Sequence, residues 1–187
     1  MIDFRSDTVT KPTKGMLAAM FSARVGDDVF GDDPTVKELE DKISKMFGME
    51  SAIYCPSGTM TNQIAINVHT NPGDEIICDK LSHVYNYEGG GIARNSGVST
   101  RLLNGDRGRY LTSEVLNNIN PDDEHFPITS LVSIENTCNK GGGSIWQIEN
   151  IKEIATTCKE NQLNLHLYIY YHNLLLKHPK TYLFLLI

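Results

Sequence analysis

The chain has 187 residues, of which 40% are hydrophobic and 21% charged, and its formal net charge is −6. This composition is typical of a globular protein, and the length allows one sizeable core but is short for two domains. No basic run accompanies the negative charge, which argues against a nucleic-acid partner. The four cysteines are too widely spaced for a zinc site or a disulfide framework, so we expect reduced thiols in a cytoplasmic protein.

Neither end of the sequence predicts a membrane segment. The first seven residues lack the apolar core of a signal peptide. The stretch 168–187 is apolar, but His, Asn, Lys and Pro interrupt it too often for it to cross a bilayer. We therefore expect a soluble protein with no membrane partner.

The first half of the chain predicts two helices and one strand. Asp33 and Pro34 suit the cap and the first position of a helix, and apolar residues then recur at helical spacing until Gly48. A second helix is predicted over 59–69 and ends before an Asn-Pro-Gly turn. Residues 75–79 have the pattern of a short buried strand.

Strands and helices alternate in the second half as well. Strands are predicted over 98–103 and 130–135, with a polar helix over 112–119 between them. Apolar residues from Ile148 to Cys158 form one face of a further helix, and another strand begins at 163–167. Alternating strands and helices indicate an α/β fold with a mainly parallel sheet.

Ser57-Gly58-Thr59 stands between a short apolar segment and the start of the second predicted helix. Helix N-termini have unpaired N–H groups and a partial positive charge, so they attract phosphate. Gly58 would allow close approach, and the Ser57 and Thr59 hydroxyls would add hydrogen bonds. A simple capped turn explains these residues equally well, and from them alone it is the commoner outcome.

His83 and Glu88 follow the strand predicted at 75–79. Ligands of parallel sheets gather beyond the carboxyl ends of strands, where an imidazole can stack on a flat cofactor or move a proton. A histidine with a hydrogen bond in a loop is the plain alternative. Glu88 precedes three glycines and would serve as an acid or base, or as a carboxylate at a helix start.

Two further polar clusters have structural explanations. The acidic run 27–33 lacks the ligand spacing of a calcium loop, which favours capping and turns. Glu135-Asn136-Thr137 ends a predicted strand, where Asn136 would bind a ligand or simply begin a loop.

Six segments in this order resemble the threonine aldolases, which are pyridoxal-phosphate enzymes of fold type I, the aspartate-aminotransferase type. They are Asp3-Phe-Arg-Ser-Asp-Thr-Val-Thr-Lys-Pro12, Val25-Gly-Asp-Asp-Val-Phe-Gly-Asp-Asp-Pro-Thr35, Pro56-Ser-Gly-Thr-Met-Thr-Asn-Gln63, His83 with Glu88-Gly-Gly-Gly91, His125-Phe126 and Glu135-Asn-Thr137. The resemblance covers Asp3 to about Leu167, and it implies the large cofactor-binding domain of that fold.

The resemblance implies a lyase that cleaves threonine and related β-hydroxy-α-amino acids into glycine and an aldehyde. Gly58 and Thr59, with Ser57 nearby, would hold the phosphate of pyridoxal 5′-phosphate, and His83 would stack on its ring. That cofactor acts as an electron sink and is held by a lysine.

Further roles implied by the resemblance concern the substrate. Ser6 would help to bind the substrate carboxylate. Glu88 and His125 would belong to the active-site wall, where they would take part in proton transfer. A homo-oligomer, dimer or tetramer, is expected of a complete family member.

Some departures from the family pattern are small. Phe30 stands where Tyr is frequent, Cys138 where His is frequent, and Thr61 where a small residue is common. After Leu167 the departure is larger, because the family continues Asp-Gly-Ala-Arg where this sequence has Tyr168-Ile-Tyr-Tyr171. The Asp would pair with the pyridinium nitrogen and the Arg with the substrate carboxylate.

The cofactor-binding lysine of the family lies farther along than this sequence extends, and neither Lys177 nor Lys180 has its Ser-Lys-Gly context. We expect residues 1–167 to be an incomplete cofactor-binding domain. Residues 168–187 form a divergent tail, which a change of reading frame or an alternative ending would explain. Two alternatives remain open: a non-catalytic protein or subunit partner, and another fold type I enzyme such as a β-eliminating lyase.

Overall fold

A parallel sheet organises the computed structural model, which describes residues 9–169 and the backbone of 181–182. Within these residues the strand order is β2-β1-β3-β4-β5, and every neighbouring pair is parallel. The strands are β1 (Glu75–Asp79), β2 (Ser99–Leu103), β3 (Thr129–Asn136), β4 (Asn164–Ile169) and β5 (Thr181–Tyr182). The expected α/β fold with a mainly parallel sheet is confirmed.

Helices connect these strands and precede them along the chain. They are α1 (Lys14–Ser22), α2 (Pro34–Phe47), α3 (Gly58–His69), α4 (His83–Asn86), α5 (Gly91–Ser96), α6 (Thr112–Leu116) and α7 (Ile148–Glu160). One turn of 3₁₀ helix covers Asp28–Phe30. No helix among the described residues has both the length and the apolar character needed to cross a membrane.

The acidic run 27–33 caps two helical segments, as predicted. The Asp33 carboxylate accepts hydrogen bonds from the N–H groups of Thr35 and Val36, at 2.9 and 3.0 Å, and begins α2. The bond from Val36, with those from the N–H groups of Gly26 and Thr35, holds the pKa of Asp33 below its ordinary value. Asp27 accepts a hydrogen bond from the N–H of Val29 in the same way. Gly48 ends α2 with a φ of 66°, in the left-handed region.

Two apolar clusters cover the two faces of the sheet. One joins β1, β3 and β4 to α6 and α7; its members include Ile77, Val132, Ile134, Leu165, Leu167, Ile151 and Ile154. The other joins β1 and β3 to α3, α4 and α5; its members are Ile66, Ile76, Cys78, Val84, Ile92, Val98 and Leu131. Side chains alternate across a strand, so β4 directs His166 and Tyr168 away from the first cluster, toward the face that α3 covers.

Several predicted bounds differ from the structure, and some helices were not predicted. The polar helix ends at Leu116 rather than at residue 119. Just after its end, the Asn118 side chain donates a hydrogen bond to the Glu114 carbonyl. The strand expected over 163–167 begins one residue later and continues to Ile169. Helix α1 was not predicted: it buries none of its residues, so its sequence has no core-facing stripe.

Candidate functional site

The loops that follow β1 and β3 meet at the carboxyl edge of the sheet, and Glu135 joins them. One Glu135 carboxylate oxygen accepts the backbone N–H of His83 at 2.7 Å, and the other accepts that of Asn139 at 3.0 Å. Burial raises the pKa of Glu135, while the two N–H donors oppose that shift. The carboxylate therefore fixes where α4, and with it His83, begins.

His83 and Glu88 form a hydrogen-bonded pair across α4. Nδ1 of His83 lies 2.8 Å from Oε1 of Glu88, whose side chain has no solvent exposure, whereas 18% of the His83 side chain is exposed. The hydrogen bond raises the pKa of His83, and partial burial of the ring opposes it. The two proposed site residues are thus in direct contact.

Helix α3 supplies two further partners of Glu88. Asn62 Nδ2 donates to Oε1 of Glu88 at 2.7 Å, and Gln63 Nε2 donates to Oε2 at 2.6 Å. Both side chains are buried. Neither residue was predicted from the sequence to belong to the site. The available signal was two polar residues beside the core-facing Ala65 and Ile66, positions where a helix normally has apolar side chains.

Aromatic rings surround His83. Its ring centroid lies 5.4 Å from that of Tyr87 and 5.8 Å from that of Tyr168. The Lys140 ammonium stands 5.3 Å from the centre of the Tyr87 ring, within the range of a cation–π contact. Tyr168 is 4% exposed and lies opposite Glu135 in the register of β3 and β4. This part of the site is therefore walled by aromatic side chains.

The N-terminus of α3 has open N–H groups. The Ser57 hydroxyl accepts the N–H of Met60 at 3.2 Å, and the Ser57 carbonyl accepts that of Thr61. The N–H groups of Gly58 and Thr59 have no acceptor among the described residues. Gly58 is buried and Thr59 is exposed. The capped turn considered above is thus present, and two donors remain for an anion.

Of the other predicted site residues, His125 is not brought to His83. The His125 side chain is 79% exposed, and its Nδ1 lies 2.8 Å from Asp123. It stands on the loop that leads into the amino end of β3, whereas Glu135 and His83 meet at the carboxyl end of that strand. Ser6 lies outside the described residues.

Asn136 serves the fold rather than an open site. Its Oδ1 accepts the backbone N–H of Trp146 at 3.1 Å, in a buried position. Asn136 was predicted either to bind a ligand or to begin a loop. The structure supports the second interpretation, because this bond orders the loop after β3.

Comparison with known proteins gives consistent findings. The family model described as beta-eliminating lyase matches residues 3–167. The chain is 42% identical to the low specificity L-threonine aldolase of Escherichia coli K12 over 167 residues, which are 89% of this chain and 49% of that protein. It is 39% identical to a probable low-specificity L-threonine aldolase 2 of Arabidopsis thaliana, again over 89% of this chain and 48% of that one.

The solved structures agree on the fold. The threonine aldolase of Leishmania major superposes with a TM-score of 0.70 at 24% identity, covering 81% of this chain and 44% of that one. The chain thus spans about half the length of the relatives that it matches.

Proposed function

Because the chain belongs to the beta-eliminating lyase family, we propose that it forms the phosphate-binding part of a pyridoxal-phosphate-dependent lyase acting on threonine and similar β-hydroxy-α-amino acids. The products would be glycine and an aldehyde. The names of its relatives support the reaction, at identities of up to 42%. One observation carries the proposal. The first turn of α3, with unpaired N–H groups, and the hydrogen-bonded His83 and Glu88 occur together at one edge of a parallel sheet.

The phosphate end of the cofactor fits the residues present. Gly58 and Thr59 begin a helix of 12 residues, and their N–H groups lack protein acceptors in the described part of the chain. Thr59 is an exposed residue, and its hydroxyl would be a further donor. Ser57 supports the turn through its bonds to Met60 and Thr61. We propose that Gly58 and Thr59 hold the phosphate and that Ser57 keeps their backbone in place.

The ring-nitrogen end of the cofactor does not fit. The resemblance expects a carboxylate at position 168, and the structure has the buried phenol of Tyr168 there. The nearby carboxylates already have partners: Glu88 accepts hydrogen bonds from the Asn62 and Gln63 amides and lies 2.8 Å from Nδ1 of His83, and Glu135 accepts two from backbone N–H groups. The described part of the chain thus has no carboxylate at the position that the resemblance assigns to the partner of the pyridinium nitrogen.

Within the proposed reaction, the cofactor supplies an electron sink when it is bound. His83 would move a proton at the substrate hydroxyl, because its ring is partly exposed and its hydrogen bond to Glu88 raises its pKa. Glu88 would hold the His83 ring in orientation and would not itself contact the substrate. The roles of Ser6 in carboxylate binding and of His125 in the site wall remain proposals without support from the described contacts.

We further propose that residues 1–167 are the domain part shared with the relatives and that 168–187 are divergent. The family match ends at 167, while β4 continues to Ile169. A homo-oligomer remains the proposal for a complete protein of this family.

A chimeric protein tests the function directly. Residues 1–167 would be joined to the part of the E. coli relative that follows its matched region, and glycine and acetaldehyde would be measured with threonine as substrate. We expect cleavage, and a fall of about 10²-fold or more in kcat for His83→Ala if His83 moves the proton. The matched control is His69→Gln, an imidazole at the far end of α3, which should leave kcat unchanged.

The reaction products distinguish a threonine aldolase from a β-eliminating lyase. Ammonia and a keto acid in place of glycine and acetaldehyde would favour a β-eliminating lyase. A folded chimera that binds no pyridoxal phosphate would refute the phosphate role of Gly58 and Thr59.

A further inference from the structure

Helix α3 contributes to the site at two levels. Its first turn has the open N–H groups of Gly58 and Thr59, and its second turn carries Asn62 and Gln63, which both contact Glu88. Glu88 in turn contacts Nδ1 of His83. One helix therefore links the proposed phosphate site to the histidine.

Two amide donors define part of the hydrogen bonding around Glu88. An amide nitrogen only donates, so Glu88 accepts from both Asn62 and Gln63 and carries no proton toward either. The Gln63 amide is held in this orientation from its other end, because Asn95 Nδ2 donates to Gln63 Oε1 at 3.1 Å. Gly91 leaves room for the amide in this position, since a Cβ there would overlap it.

We propose that Asn62 and Gln63 are positioning residues that hold the Glu88 carboxylate against Nδ1 of His83, so that the neutral imidazole carries its proton on Nδ1 and keeps Nε2 as the basic nitrogen. Nε2 of His83 has no hydrogen-bond partner among the described residues. This inference rests on the proposed function, in which His83 moves a proton. It adds two residues to the site and assigns a ring nitrogen to that step.

His83 has neighbours in the segment after α4 and on strands β3 and β4. Glu88 contacts its ring, and Glu135 on β3 accepts its backbone N–H. The Tyr87 and Tyr168 rings flank the imidazole. The Lys140 ammonium contacts the ring of Tyr87. Glu88 is thus the one described side chain that bonds to the imidazole.

Removing an amide donor has a defined direction of effect. A fully buried carboxylate with fewer donors is costly as an anion and takes up a proton. A protonated Glu88 would donate to Nδ1, which moves the proton of the neutral His83 ring to Nε2. His83 would also lose its negative neighbour, so its pKa would fall.

Nitrogen NMR of the imidazole side chains tests this in the chain itself, with no cofactor added. In the unmodified chain we expect the neutral His83 ring to be protonated on Nδ1. In Gln63→Met and Asn62→Leu the proton should move to Nε2, with a fall in the His83 pKa of about one unit. Asn95→Ala, an exposed change that only releases Gln63, should give a smaller shift in the same direction. Asn118→Met, an amide outside the network, should change neither.

Two results would overturn the inference. One is a folded Gln63→Met or Asn62→Leu variant with the tautomer and pKa of His83 unchanged. The other, decisive even if both buried variants fail to fold, is an unmodified chain whose neutral His83 carries its proton on Nε2. Because the readout needs no ligand, a failure to bind pyridoxal phosphate would refute the proposed function and leave this measurement readable.

Discussion

The ring of Tyr168 lies beside the ring of His83, with their centroids 5.8 Å apart and their planes inclined by 52°. Tyr168 is buried at the end of β4, directly opposite Glu135 on β3. The resemblance expects a carboxylate at this position, so the difference between this chain and its family lies inside the site. A phenol there changes the charge that a bound pyridine ring would meet.

We predict that Tyr168→Asp strengthens the binding of pyridoxamine 5′-phosphate by about tenfold, since a charge-assisted hydrogen bond to the ring nitrogen contributes at least about 1.5 kcal/mol. This ligand has no aldehyde and so cannot label surface lysines. Affinity for inorganic phosphate should stay the same, because the phosphate contacts are on α3. Tyr168→Phe is the control and should bind no tighter than the unmodified chain. Equal affinities for Tyr168→Asp and Tyr168→Phe would contradict the prediction.

We predict that the 187-residue polypeptide alone does not cleave threonine. Tyr168 and Tyr171 stand where a carboxylate and a guanidinium are expected, and neither Lys177 nor Lys180 has the expected sequence context. Acetaldehyde release would be measured with added pyridoxal phosphate. Free cofactor is the control, because it catalyses related chemistry slowly on its own. Turnover above that of free cofactor would refute the prediction.

Much of the fold follows from local signals in the sequence. Asp33, Pro34 and Gly48 predict the bounds of α2, and the structure confirms each through caps at both ends. Strand β1 was predicted over its full length from its short apolar pattern, and all five of its residues are buried. Such elements need no knowledge of distant partners.

The contacts of the site were harder to predict. The Asn62 and Gln63 amides are 25 to 26 residues from Glu88 in sequence, so no local pattern joins them. Helices α4 and α5 have four and six residues, too few for a period to emerge. His125 was assigned to the site by the resemblance alone. Within this chain it is exposed and contacts Asp123 rather than His83.

We predict that acidification destabilises the chain through His166. This residue is fully buried and bonded to the Ser133 hydroxyl at 2.9 Å, and burial lowers its pKa from 6.5 to about 4. Between these values the unfolded state binds more protons, so stability is complete above pH 6.5 and falls as the pH drops toward 4. The loss is on the order of 3 kcal/mol.

Urea unfolding at several pH values checks this prediction. His166→Asn keeps a partner for Ser133 but cannot be charged, so its stability should depend less on pH between 4 and 6.5. Identical pH dependence in the two proteins would show that His166 is not the group responsible.

We predict that the polypeptide alone self-associates through the segment from α1 to the 3₁₀ turn. Apolar side chains are unusually exposed there, including Phe21 at 90% and Val29 at 88%. Phe21→Glu should lower the mass observed by light scattering. Val68→Glu introduces the same charge at an exposed position on α3 and should not. A monomeric unmodified chain with cooperative thermal unfolding would argue against this prediction.

The most direct test of the account is amide NMR of the chain titrated with pyridoxamine 5′-phosphate. We predict that the N–H signals of Gly58 and Thr59 shift together with the His83 ring, and that inorganic phosphate shifts the two amides alone. Pyridoxamine without its phosphate should leave Gly58 and Thr59 unmoved. A titration in which the signals of Gly58 and Thr59 stay fixed while His83 or other residues respond would contradict the assignment of the phosphate site to α3.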